Sequence, residues 1–523
     1  MPLTVAVLLS VASCTGSGHA RAASSVTAAA RATPSAAGTG SSGAASPDTG
    51  GVRLVPAPAM GPATTASLGD PLFAGLGNGG YDVQRYDLRL TYPKTDPRQT
   101  VRGSVTVTAR ATTALPRLDL DFSGGGPASV LVDGRAATFR HRGAELVVSP
   151  ATPVPAGAAF TVDVRGFTAK PVAGSAVEQG GAAFVATPDG TALAGQPAAM
   201  HTVFPCNDHP SDKATFTFAL DVPAGWTGVA NGVPAGTTTS GGRTVWRYRE
   251  DRPMATELVQ VAVGNLQVVR RPDEQGVQIR DVVPRRLLSS AGAELAGQDG
   301  QIAWMAARVG PFPFPVYGRL AADAQLAALE TQTLTIMPRS YLALPSGPRN
   351  QVLLHELAHQ WFGDAVSPAQ WSDVWLNEGH ATWYEMLYGA EQGSLRSFFP
   401  APDLEGAMRA VYGQSDLFRR QFGPPAAPAS ADSLRALFNP DVYTGGALVL
   451  YALRQEIGTP AFEQVEREWV RDHRDGVAST ADYVALASQV AGRDLRPFLD
   501  AWLYGGTAPP MPGHPDWRPD ASG

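Results

Sequence analysis

Hydrophobic and polar positions change their rhythm once along the chain. Between residues 69 and 267 the rhythm is alternation: Val83, Leu88 and Leu90 sit among polar neighbours, then Val105 and Val107, then Leu118, Leu120 and Phe122, then Phe160, Val162 and Val164. A period of two belongs to strands with one buried face, so this half is predicted to be all-β and built of many short strands. Asp133-Gly134 between apolar runs predicts a tight hairpin. After about residue 268 the spacing becomes helical. Residues 287–309, 352–362, 379–388, 447–457 and the run 481–504 are predicted helices, with a Pro-rich turn at 310–315 and a small sheet around Arg319-Leu320 and Thr333 to Ile336. A mainly helical second domain thus spans 268–506, and a Pro/Gly-rich tail follows at 507–523. No internal repeat is visible.

Residues 1–68 follow neither rhythm. An apolar run of about ten residues, 3–12, suits a signal peptide and is too short to cross a bilayer. It ends in Val11-Ala12-Ser13-Cys14, which resembles a bacterial lipoprotein cleavage box, although Met1-Pro2-Leu3-Thr4 carries no basic residue. The expectation is export with Cys14 lipid-modified; an ordinary secretory peptide cut between Ala20 and Ala23 is the alternative. Residues 15–68 are Ala, Gly, Ser, Thr and Pro with few large apolar side chains, the composition of a flexible tether. The only other cysteine, Cys206, is then expected as a small buried apolar residue, and no disulfide framework exists. The 523-residue chain carries a net charge of −6 with no concentration of Lys and Arg, which argues against a nucleic-acid partner.

The chemistry is concentrated in His355-Glu356-Leu357-Ala358-His359. On a helix, residues i and i+4 share one face, so both imidazoles can reach one cation with a carboxylate beside them. Apolar Val352, Leu353, Leu354, Leu357, Ala358 and Trp361 support that helix, with Ser346-Gly347-Pro348 before it and Gly363 as a stop. A catalytic zinc takes three protein ligands and keeps one position open. Glu378, separated from His359 by eighteen intervening residues, is the candidate third ligand on a second helix. His380, two residues on, points elsewhere and is read as a packing or hydrogen-bonding histidine. Asp373 and Asn377 are candidate partners for the ligand imidazoles, with helix capping as the alternative for Asp373.

The run HELAHQWFGD, followed after the gap by Leu-Asn-Glu-Gly-x-Ala, resembles the aminopeptidase N family of zinc metallopeptidases (gluzincins). Residues 204–214 (FPCNDHPSDKA) are similar to a signature in that family's N-terminal β domain, and residues 69–83 resemble its opening in short two-domain bacterial members. The resemblance runs from about residue 69 to about 512. It implies an N-terminal antiparallel, saddle-like β-sheet domain followed by a thermolysin-like, mainly helical zinc metallopeptidase domain, with one Zn²⁺ per chain. Glu330, in Ala327-Ala328-Leu329-Glu330-Thr331, matches the family's Gly-x-Met-Glu-Asn glutamate, which binds the substrate's α-amine. Ala327, Leu329 and Thr331 depart from that pattern. Gln196, ten residues before Cys206, matches a second acceptor for the amine. Tyr443, sixty-five positions beyond Glu378 and before a Gly-Ala pair, matches the family's oxyanion-stabilising tyrosine.

These assignments imply an aminopeptidase acting on peptides with a free N-terminus: ligands His355, His359 and Glu378, general base Glu356, oxyanion donor Tyr443, amine acceptors Glu330 and Gln196. A zinc endopeptidase or other zinc hydrolase on the same scaffold is the first alternative, prompted by the altered loop at 327–331. A surface-tethered interaction protein with a degenerate site is the second. Larger relatives add domains after the catalytic one, so a more open cleft, or one closed by a partner subunit, is expected here.

Overall fold

The structure, a computed structural model, describes residues 52–520 except 62–65, 178–181, 297–299 and 400. The signal segment and Cys14 lie outside the described residues.

Alternating sequence becomes an eight-stranded sheet, in the order Val233–Ser240, Arg243–Met254, Ala214–Pro223, Tyr81–Thr91, Val101–Ala111, Ala159–Ala169, Ser129–Val132, Arg135–Ala136. The buried face carries Val105, Val107, Val162 and Val164, each at most 2% exposed. One pairing departs from the antiparallel expectation: Tyr81–Thr91 runs parallel to Ala214–Pro223. The Asp133-Gly134 hairpin is present with both residues at positive φ, 48° and 73°, which lets the turn follow the twist of its strands. A four-stranded sheet and a three-stranded sheet complete the N-terminal β region. Cys206 is a free, fully buried thiol whose pKa is pushed well up by burial.

The second region opens with a five-stranded sheet, larger than expected. The hairpin Leu266–Glu274 and Val277–Pro284 joins Arg319–Ala322, Thr335–Pro338 and the short Val316–Tyr317. The predicted helix over 287–309 is two helices, Leu288–Ala296 and Gln301–Val309, because Gly300 takes φ 97° just before the second begins. The run 481–504 is likewise divided into Thr480–Ala491 and Arg496–Tyr504 by left-handed Gly492. The histidine helix spans Ser346–Ala358; Ser346-Gly347-Pro348 form its first turn, where a proline costs no hydrogen bond. Among the described residues no helix is long and apolar enough to cross a membrane.

Both ends of the folded body are tied down. The tether expected over 15–68 stops short of residue 68, because its last part is backbone-paired. Val55 N–H donates to the Tyr504 carbonyl at 2.7 Å and Gly506 N–H to that of Arg53 at 2.9 Å. The tail from 507 is packed too: Trp517 is 5% exposed and stacks on His514 and Tyr451.

The two regions are bolted together by polar groups, buried at Asp70 and half-buried at Lys213. Asp70 accepts from Leu72 N–H (2.7 Å), Trp371 N–H (2.8 Å) and His209 Nε2 (3.1 Å), so it joins the opening segment, the β region and the helical region. Lys213 Nζ donates to the carbonyls of Asp364 (2.8 Å), Ala365 (3.1 Å) and Gly476 (3.2 Å). Burial alone would raise the Asp70 pKa, but His209 and the N–H groups of Trp371 and Leu72 outweigh it and hold the carboxyl below its ordinary 3.8. A carboxyl depressed in the folded state adds stability above its unfolded pKa and loses it as pH falls through the folded value. Asp70→Asn is therefore expected to cost about 2 kcal/mol at pH 7, a deficit that shrinks below about pH 4. Thermal melts of both proteins at the two pH values check this; an equal deficit at both would remove the charge from the account.

Candidate active site

Leu353, Leu354 and Leu357 are fully buried and seat the Ser346–Ala358 helix in the core, turning His355 and Glu356 toward the pocket. His359 caps that helix. The second helix, Trp375–Glu391, presents Glu378 in its first turn. Glu378 Oε2 lies 3.4 Å from His355 Nε2 and 3.3 Å from His359 Nε2, and the three ligand atoms form one cluster. Glu378 Oε2 is buried without a hydrogen bond among the described residues. Three ligands at zinc distances on a tetrahedral ion sit about 3.4 Å apart, so this spacing fits a zinc ion and leaves a fourth position free.

The orientation of the imidazoles agrees. His355 Nδ1–H donates to Glu385 (3.1 Å) and His359 Nδ1–H to the Phe362 carbonyl (3.1 Å), which leaves both Nε2 lone pairs for a metal. Asp373 and Asn377 do not take this role. The Asp373 carboxylate accepts from the Thr480 N–H (3.1 Å) and hydroxyl (2.7 Å), holding the start of the Thr480–Ala491 helix, while Asn377 packs against Gly363. His380 points away, donating to the Leu376 carbonyl (2.7 Å) and stacking on Phe362 at 4.3 Å. Glu385 escaped sequence reasoning, although it lies seven residues, two turns, after Glu378 and so on the same face.

Glu356, 6% exposed, lines the pocket beside the cluster. Burial pushes its carboxyl up to about 8. For Glu378 burial works the same way, but His359 and then His355 overcome it and hold the carboxylate at about 2. Tyr443 stands in the turn Asp441–Gly445 before the Gly446–Ile457 helix, its ring stacked 5.9 Å from that of His355. Burial, then Glu378, Glu330 and Glu356, raise its pKa well above the ordinary phenol value, so the hydroxyl stays a donor. It is brought there by a glycine crossing. A Cβ on Gly379 would come 2.9 Å from Gly446 Cα, so only Gly lets the two helices approach this closely.

Glu330 and Gln196 line the same pocket, which has about 810 Å³ of empty volume out to its mouth. Gln196 Nε2 donates to Glu330 Oε1 at 2.5 Å, across the two regions. The substituted loop stays in register: Leu329 and Ile336 exchange backbone hydrogen bonds at 3.1 and 2.9 Å, and the Thr331 hydroxyl donates to the Leu334 carbonyl at 2.5 Å. Gln360, directly after the histidine helix, holds this loop. Its Nε2 donates to the Glu330 carbonyl (2.9 Å) and to Asp364 (2.6 Å), and its Oε1 accepts from Thr333 N–H (2.9 Å). Thr333 has φ 62°, strained for a β-branched residue, and its hydroxyl accepts from Gly232 N–H (2.7 Å) in the β region. Glu257 is a further buried carboxyl near the Gln196–Glu330 pair; burial and then Glu330 raise its pKa well above the ordinary value. No local pattern marks Gln360, Thr333 or Glu257 for a sequence reader.

The geometry agrees with known proteins. The model of the Peptidase M1 N-terminal domain matches residues 83–258, and that of the Peptidase family M1 domain matches residues 301–502. The M1 zinc metallopeptidase of Deinococcus radiodurans superposes with a TM-score of 0.73 at 30% identity, over 85% of this chain and 98% of that one. The chain belongs to peptidase family M1. A mutant of the same M1 enzyme, bound to a Tyr-Ser-Ala substrate, superposes at 0.71 with 28% identity, covering 85% and 99% of the two chains. Aminopeptidase N of Streptomyces lividans is 26% identical over 316 residues, 58% of this chain and 36% of the relative. Aminopeptidase M1 of Arabidopsis thaliana is 25% identical over 334 residues, 59% and 36% respectively. The chain thus spans little more than a third of these curated relatives, whereas it spans nearly all of the two-domain M1 structure. Zinc is the metal of that M1 enzyme and of this donor set.

Removing the Glu385 carboxylate leaves His355 without its orienting partner. Glu385→Ala is expected to weaken zinc binding about 10- to 100-fold, measured by competition with a chromogenic chelator. Unchanged affinity would show that His355 is oriented by packing alone.

Proposed function

We propose that this chain is a zinc aminopeptidase that hydrolyses the first peptide bond of peptides with a free N-terminus. The observation that carries this reading is the Gln196–Glu330 pair, placed in one pocket with His355, His359, Glu378, Glu356 and Tyr443. An endopeptidase must admit chain on both sides of the scissile bond and gains nothing from a buried carboxylate and a half-buried amide at one end. For a terminal ammonium such acceptors are required. The peptide bound to the Deinococcus mutant, Tyr-Ser-Ala, supports peptides as the substrate class.

His355, His359 and Glu378 would hold the zinc, which when bound polarises a peptide carbonyl and makes water acidic enough to attack near neutral pH. Glu356 takes the proton from the attacking water and returns it to the leaving amine. The added positive charge of a dication favours the carboxylate form that this role needs. The Tyr443 hydroxyl donates to the oxygen that becomes negative in the transition state, and does so from a half-buried position on the pocket wall. Glu330 supplies charge and Gln196 a carbonyl to the substrate ammonium, so that the first bond alone reaches Glu356. We further propose export, with Cys14 as the lipid-modified residue and the Ala/Gly/Ser/Thr/Pro-rich segment after it as a spacer.

Glu356→Gln is expected to keep one zinc per chain while turnover of aminoacyl-naphthylamides falls about 10²- to 10⁴-fold. Tyr443→Phe should lower kcat about 10²- to 10³-fold with little change in KM. Near-normal turnover by the Glu356 variant would reject the general-base assignment. A loss confined to KM in the Tyr443 variant would reject the oxyanion role.

A further inference from the structure

A second cleft lies on the other side of Gly232, between the Arg243–Met254 strand of the β region and the Leu266–Glu274/Val277–Pro284 hairpin. It has an empty volume of about 660 Å³ and is lined by Trp246, Tyr248, Arg247, Arg270, Arg280 and Arg285, with no Asp or Glu among the described residues that face it. This is unusual in a chain whose net charge is −6.

The strand register makes the charge deliberate. Arg270 and Arg280 are direct cross-strand partners, so two cations share one face of the hairpin. Like charges directly opposite are destabilising. On the other face of the same hairpin the sequence provides the opposite arrangement, where Arg271 Nε donates to Asp281 at 2.7 Å. Arg280 is 4% exposed and forms no ion pair with a carboxylate among the described residues. One of its nitrogens donates to the carbonyls of Ala230 (2.6 Å) and Gly232 (2.7 Å), the other two have no partner among the described residues, and the guanidinium lies 5.2 Å from the centre of the Tyr248 ring. Burial pulls its pKa down and Arg270 adds to this, while Tyr248 and Glu250 act the other way without cancelling it. Among the described residues, Arg270 makes no ion pair or hydrogen bond beyond its strand pairing, and the Arg285 guanidinium bonds only the neutral Gln267 side chain, at 2.7 Å. A guanidinium is the side chain best matched to the paired oxygens of phosphate or carboxylate.

We propose that this cleft, built around the facing Arg270 and Arg280, binds a small multivalent oxyanion, separately from the peptidase site. The ligand brings at least two negative charges, which offset the cross-strand repulsion, and the Trp246 and Tyr248 rings form an apolar wall beside it. Phosphate and carboxylate groups share this chemistry, and the probes distinguish them.

Titration calorimetry on the full chain, with sodium pyrophosphate and with citrate at ionic strength fixed by chloride, tests the site. Saturable binding of at least one probe, one per chain, is expected. In the surface variant Arg270→Ser/Arg285→Ser affinity should fall at least tenfold. Tighter binding of pyrophosphate assigns a phosphate ligand, and tighter binding of citrate a carboxylate. The same variant should melt no lower than the parent in chloride alone, because it removes a repulsion. Absence of saturable binding by both probes, or equal affinity in parent and variant, overturns the proposal. So does a melting temperature that falls in chloride alone, which would make the arginines structural.

Discussion

Buried negative charge is the constraint that organises this molecule. Glu257, Glu330, Glu356, Asp364 and Glu378 are each 6% exposed or less and each raises or feels the others' potential. Carboxylates are almost never buried without partners, since removal from water costs far more than an uncompensated site can bear. Among the described residues the nearby ammonium is Lys213, which burial itself lowers to about 8 and which is committed to three backbone carbonyls. On the proposed reading, positive charge arrives with what the site binds: a divalent metal at Glu378 and a substrate ammonium at Glu330.

Holding that charge in register is the work of the fold. Gly379 follows the third ligand directly and Gly446 follows the tyrosine turn, so one close helix crossing sets both groups against the histidine helix. On the opposite side, Gln360 follows the second histidine directly and ties the Glu330 loop to it, while strained Thr333 ties the same loop to Gly232. Gln196 arrives from the β region. Gln196 and Glu330 come from different regions, and hydrogen bonds from Asp70 and Lys213 fasten the two together.

Much of this was legible in the sequence because it follows from local periodicity. Alternation located the strands, helical spacing put His355 and His359 on one ion, and the downstream gap reached Glu378. What escaped depends on tertiary neighbours. Gly300 and Gly492 divide runs whose apolar spacing reads as continuous, because periodicity does not register a single left-handed residue. Asp373 has the composition of a partner for a ligand imidazole, but the competing demand of a buried helix start, Thr480, takes it. Glu385 was readable by its two-turn offset from Glu378, whereas Glu257 and Gln360 acquire meaning only when a loop from elsewhere folds onto them. The substitutions at Ala327, Leu329 and Thr331 looked like a weakness; backbone pairing with Ile336 and the Thr331 hydroxyl keep Glu330 in place.

The central claim is that this site reads a free amino terminus with Glu330 and Gln196. The most direct measurement compares kcat/KM for one short peptide with its N-acetylated form, using zinc-loaded protein. A site built to hydrogen-bond a group rejects the analogue lacking it by about 10⁴-fold, so acetylation should reduce cleavage by that order. Comparable cleavage of the two peptides would contradict the account.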